Sequence, residues 1–319
     1  MQPLKISFGT LLILCVALTG CYKNSCCLEP NICYALPTRA ASCLQSPFKP
    51  LNEAEKRTDW GKELMIGRGF AREMDLYRAI TCFKRARFLI PKTHERLIEI
   101  DYDIFLSYYL ANKYDEAVDA FETTTLMQAS LETFPALHDL YVALYDAYIK
   151  TDHLDKANSL LYFIQETDPC TSQSLKIETN VIDADLEGAL SAASESPYEE
   201  AMSSFVHEYC CKAKSPQKAQ FFNAVLPGAG YLYVGQPKSA LTSFLINALF
   251  IAASYQLFDR GYVAAGIITS SLELGWYFGG INGAGLAAKE YNDRLYESIG
   301  RDFLIDNRLF PVLTLQMGF

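Results

Sequence analysis

The groups in this chain best able to do chemistry are its cysteines. Apart from Cys15, which lies in an apolar run near the start, they stand at positions 21, 26, 27, 33, 43, 82, 170, 210 and 211. Setting Cys21 aside leaves eight, an even number suited to disulfides in an oxidising compartment. The four at 26, 27, 33 and 43 share a segment with Pro30, Pro37, Pro47 and Pro50, which reads as a tether cross-linked to itself. Metal chemistry is not expected: no Cys-x-x-Cys pair occurs, and His94, His138, His153 and His207 are scattered. The run Gly230 to Gly235 precedes Lys238-Ser239, but Gln236-Pro237 intervene and put the lysine out of register for a phosphate loop. No nucleophile elbow, His-Glu-x-x-His helix or acidic calcium loop is present. The expectation is therefore a chain that recognises rather than catalyses, with no cofactor and no metal.

The elements that carry these residues begin with a leader. Lys5 precedes an apolar run from Ile6 to Leu18, too short to span a bilayer comfortably, and small residues follow, as in a secretory signal. Leu18-Thr19-Gly20-Cys21 resembles the bacterial lipoprotein box. That resemblance implies removal of residues 1–20, lipidation of Cys21 and residence in a bacterial cell envelope as a membrane-anchored lipoprotein facing the periplasm. The remaining 299 residues are half hydrophobic and one fifth charged, a globular composition able to form more than one domain. A formal charge of −9 argues against nucleic acid as a partner.

From residue 59 the sequence repeats. Ala79, Phe83 and Ala86, then Ala117, Phe121 and Thr124, then Ala157, Leu161 and Ile164 set a small residue, a large one four positions on, and another three further. Ile66-Gly67 with Phe70, Ile104-Phe105 with Tyr108, and Leu144-Tyr145 with Tyr148 mark a preceding helix in each unit. The pattern resembles the tetratricopeptide repeat, although Ala79 to Ala117 is 38 residues against the usual ~34. A fourth unit is expected around Tyr198, Ala201 and Phe205, with its first helix near Asp185 to Ala193. The resemblance implies an inner groove that binds a protein or peptide partner. Its groove positions carry over to Arg68 and Arg72, Tyr102 and Tyr109, and Asp146 and Lys150. Guanidinium groups one turn apart can clamp a carboxylate, and tyrosines give rigid contact area.

Composition changes at Pro216. Leu241 to Phe258 and Tyr262 to Ile281 are apolar runs of 18 and 20 residues, each long enough as a helix to approach a bilayer core. They predict a transmembrane-type helical hairpin, preceded by Leu226-Pro227-Gly228-Ala229-Gly230-Tyr231-Leu232-Tyr233-Val234-Gly235. That element resembles one found before paired transmembrane helices in several bacterial membrane proteins. Ser271, Gly275, Gly279 and Gly283 form a stripe expected to admit a close helix. Asn247 and Glu273 lie equally far from Arg260 and so at one depth, with Glu273 on the far side from the stripe and available to a third helix. Lys212, Lys214, Lys218, Lys238 and Lys289 flank the open end of this hairpin, a distribution that the positive-inside rule sets against an exported amino terminus. The final residues alternate Leu313, Leu315, Met317 and Phe319 with polar or small neighbours, a strand period that predicts edge pairing or a loose tail.

The sequence thus predicts an all-α chain. Its parts are a signal (1–20), a tether (21–58), a tetratricopeptide-like helical solenoid (59–215), a two-helix membrane hairpin (216–300) and a tail (301–319). The expected role is a non-enzymatic envelope lipoprotein holding a partner protein or envelope component near the membrane. The alternative is an integral membrane accessory subunit, for transport or secretion, whose hairpin carries the function.

Overall fold

The computed structural model describes residues 28, 30–32, 34, 44–130 and 134–319, so Cys21 and the tether cysteines 26, 27, 33 and 43 lie outside the described residues. Among those described the secondary structure is helical, and the sole extended pairing is one isolated bridge. Cys82, Cys170, Cys210 and Cys211 are free thiols, the first of them buried. The chain divides into two compact units: residues 32–203 together with 300–319, and residues 204–299 together with those up to 31.

The first unit is a succession of helices, each packed on its neighbours in the chain. They are α1 (Glu53–Arg57), α2 (Asp59–Arg72), α3 (Leu76–Leu89), α4 (Leu97–Leu110), α5 (Tyr114–Glu122), α6 (Leu137–Lys150), α7 (Leu154–Thr167), α8 (Pro169–Ile182) and α9 (Leu186–Ala193). A single turn chemistry links the members of four pairs. Met74, Asn112, Asp152 and Ala184 each hold a positive φ of 56° to 60° just past a helix end. In each case the next amide bonds back to a carbonyl five residues earlier: Asp75 to Phe70, Lys113 to Tyr108, His153 to Tyr148 and Asp185 to Asn180. This left-handed closure satisfies carbonyls that the helix end would otherwise leave unpaired. Asp75 and Asp185 then cap the following helix through their side chains.

Small residues let the pair members approach. Ala79, Ala86, Ala117 and Ala157 are fully buried, and a Cβ on Gly67 would come within 2.6 Å of the Phe83 ring. Phe83, Ile100, Phe105, Leu140 and Leu144 fill the space between. The fourth pair differs from expectation. Its first helix is α8, opening at Pro169, and α9 is its second; Asp185 to Ala193 is not a first helix. Proline at the first helical position lacks only an amide that has no partner there, so Pro169 can start this helix.

The second unit contains most of α10 (Glu199–Lys212), then α11 (Pro216–Val225), α12 (Ala229–Val234), α13 (Pro237–Asp259) and the larger part of α14 (Val263–Asp306). The Leu-Pro-Gly element is the joint that seats α12. Gly228, at φ +93°, receives the Asn223 side-chain oxygen at its amide, and a Cβ there would strike the Ala240 carbonyl at 2.3 Å. Gly230 lies so close to the Ala219 carbonyl and Ala284 that no side chain fits. A small core of Ala219, Val234, Ala284, Ala287 and Ala288 results, rimmed by Tyr231, Tyr233 and Tyr291.

α13 and α14 run antiparallel about Gly261: Gly266 packs on the Phe258 ring, and Gly280 faces Asn223 and Ser243. Among the described residues only α13 is long and apolar enough to cross a membrane, not both runs as the sequence predicts. Glu273, Trp276, Tyr277 and the glycines dilute the second run, and its helix continues far beyond residue 281 to Asp306. Even so, both helices expose large apolar side chains, including Leu241, Leu249, Ile251, Ile268, Leu272 and Phe278, each more than half exposed.

Candidate functional site

The helix α4, Leu-Ile-Glu-Ile-Asp-Tyr-Asp-Ile-Phe-Leu-Ser-Tyr-Tyr-Leu, buries its acids along with its apolar residues. Glu99, Asp101 and Asp103 are all inside. Buried carboxylates need cations or donors: Arg87 and Thr125 answer Asp101, and Arg68 answers the other two. Its guanidinium meets Glu99 and donates to Asp103 Oδ2 at 3.0 Å. Glu99 also receives Arg96, which holds Glu55 and the carbonyls of Lys49 and Pro50. Asp103 Oδ1 finds no partner among the described residues, and burial lifts the Asp103 carboxyl to about 6. Arg68 is therefore an internal counter-ion rather than an exposed clamp for a foreign carboxylate.

Three other expected groove residues do meet. Tyr109 donates to Asp146 Oδ2 at 2.7 Å, and Lys150 Nζ lies 3.7 Å from Asp146 Oδ1. Tyr109 and Asp146 are buried, while Lys150 is exposed. Burial raises the Asp146 carboxyl, and burial with the Asp146 charge pushes Glu178 well above the usual carboxylate range. Tyr102 is buried between Phe48 and Phe134, both edge-on to it. The arrangement expected as an open row is thus largely covered.

The cover is the chain itself. After Arg308, which has a positive φ, Pro311–Thr314 forms a short helix, α15, packed on α6, and the backbone then extends from Leu315 to Phe319. Asp139 Oδ2 accepts two successive amides from this segment, Gln316 at 2.8 Å and Met317 at 2.7 Å. Arg72 donates from Nε to the backbone oxygen of Phe319 at 3.1 Å. The Gly318 amide donates to the Gln45 carbonyl at 2.9 Å, and Met317 bridges Gln45 in parallel. Leu315 and Phe319 are buried, and Phe319 stacks on Phe83 with ring centres 6.0 Å apart. A Cβ on Gly318 would fall 2.7 Å from Leu44 Cβ, so any side chain at this position would clash with Leu44. Asp139 itself is 2% exposed; its other oxygen pairs with His138 Nδ1 at 3.1 Å, which raises the His138 pKa.

Among the six expected positions, Arg72 alone touches this segment through a hydrogen bond that the structure shows. Asp139 and Gly318 escaped sequence reasoning; Phe83 was read there only as a repeat-core residue and Phe319 only as the end of an alternating tail. One signal was available for the acids: carboxylates set inside strongly apolar helices are buried and must be answered by something.

In the second unit the faces are the reverse of expectation. Gly275 and Gly279 look into open space, whereas Glu273 is turned inward and buried together with Asn247, Ser254 and Ser243. The helix contact uses the phase of Gly266, Glu273 and Gly280, spaced by seven, because that phase meets α13. Asn247 Nδ2 bonds back to the Ser243 carbonyl, but Asn247 Oδ1, Ser254 Oγ and Glu273 Oε2 have no partner among the described residues.

Among the described residues no cluster of three or more His, Cys, Asp or Glu could hold a metal ion. Comparison with family models, with curated proteins and with solved structures finds no match for this chain, so its geometry alone carries the functional reading.

Proposed function

We propose that the chain is a non-enzymatic, membrane-attached binding protein of a bacterial envelope. In this reading Cys21 is lipidated, α13 with the start of α14 forms a membrane-associated hairpin, and the paired helices form a tetratricopeptide-like module that holds a partner protein or envelope component, as in envelope or outer-membrane protein assembly. The observation that carries it is the exposed apolar surface of α13 and α14: only 17% of the apolar window of α13 is buried. A water-soluble protein rarely shows an apolar patch of that extent, and lipid is the solvent that suits it. The repeated left-handed turn and the small-residue contacts support the module.

A second reading draws on the polar seam. Asn247, Ser254 and Glu273 are buried without complete partners between two helices whose outer faces are apolar. Polar groups kept at such a depth are costly and mark function in membrane proteins, which favours an accessory subunit of a transport or secretion system in which this seam meets another helix.

Fatty-acid labelling of cells expressing the chain tests the first reading. Label is expected on the wild type and not on Cys21→Ala, which should persist as an uncleaved precursor. Equal label on both removes the lipoprotein assignment.

A further inference from the structure

An extended segment of the chain is seated on α2, α3 and α6. Its grip has three parts. Asp139 takes two consecutive backbone amides, Arg72 takes the backbone oxygen of Phe319, and Leu315 and Phe319, four residues apart, enter the apolar interior. Backbone groups hold it in register without reading side chains, and the two apolar anchors supply selection, the division of labour found where proteins take extended peptides. Gly318 adds a steric condition through Leu44.

We propose that this face is a peptide site occupied in cis, and that the partner engaging it presents the same extended pattern, Leu-x-Met-Gly-Phe or a close apolar analogue, in place of the chain's own segment. This rests on reading the paired helices as a binding module. The partner's segment needs two free successive amides for Asp139, a backbone oxygen for Arg72, a small residue beneath Leu44 and an aromatic side chain to stack on Phe83. While residues 315–319 are seated, an incoming segment meets only the fraction of molecules in which they have left, so its apparent affinity is reduced by that fraction.

The test uses the full chain in detergent micelles with a fluorescein-labelled peptide of residues 309–319, followed by anisotropy. Leu315→Ser combined with Phe319→Ser removes the two anchors and frees the face. The freed variant should bind the peptide about tenfold or more tightly than the wild type, and adding Asp139→Ala should abolish most of that gain. A freed variant that keeps its helical spectrum and does not bind, or a wild type that binds equally well, overturns the proposal. Should the freed variant unfold, hydrogen exchange on the wild type decides. Excess unlabelled peptide should then accelerate exchange at the Gln316 and Met317 amides, and unchanged exchange overturns the proposal. The outcome is separable from the binding reading. Cross-linking of a partner at an unrelated face would leave that reading standing without this site, whereas peptide uptake with no envelope partner would do the reverse.

Discussion

Asp103 is the residue at which burial and charge balance most finely. Desolvation is the largest influence on it and raises its pKa, Glu99 adds to the rise, and Arg68 opposes it, leaving a value of about 6. A carboxyl raised above its ordinary value of 3.8 binds its proton more tightly in the folded than in the unfolded chain. Its contribution to stability is therefore full below the unfolded value and is lost as pH rises through about 6. Asp103→Asn should remove this slope, so the stability difference between wild type and variant changes by on the order of 2–3 kcal/mol between pH 3.5 and 7. Urea unfolding at several pH values reads it, and parallel curves across that range contradict the assignment. The arginines were legible as a pair in the sequence, but their partners were not. Arg68 is answered by residues 31 and 35 positions away and Arg72 by one 247 positions away, separations that helical periodicity does not encode.

At the scale of elements, the helix pairs were legible because close packing leaves a local trace: a small residue at each crossing and a large one a turn later. Ala117 and Ala157 have no accessible surface. Replacing either with leucine should overpack the interior and cost about 1–3 kcal/mol, while Lys113→Ala, at an exposed ion pair, should stay within about 0.5 kcal/mol. Thermal unfolding compares them, and equal melting temperatures would refute the crossing assignment. The phase of the second unit was misread for a physical reason. A stripe of small residues marks a possible approach, but the phase that packs is set by what the facing helix offers, and here Gly280 rather than Gly279 meets it. The Leu-Pro-Gly joint was legible as a motif, and its cause is steric: two glycines admit backbone that any Cβ would exclude.

For the whole molecule, the two units carry different surfaces. One encloses its own extended segment, and the other leaves apolar helices uncovered. Composition changes at Pro216, whereas the structure divides at Ser203 and Ser204 and returns residues 300–319 to the first unit. Composition reports which solvent a stretch suits; it does not report which earlier helices a later segment revisits. The central claim is that the apolar surface of α13 and α14 resides in lipid independently of any attached acyl chain. Alkaline carbonate extraction of membranes from cells expressing Cys21→Ser tests this most directly, since such a wash strips proteins held by surface charge and leaves those held by buried apolar helices. The account predicts that the variant stays in the membrane pellet; its release into the supernatant as folded, soluble protein would contradict it.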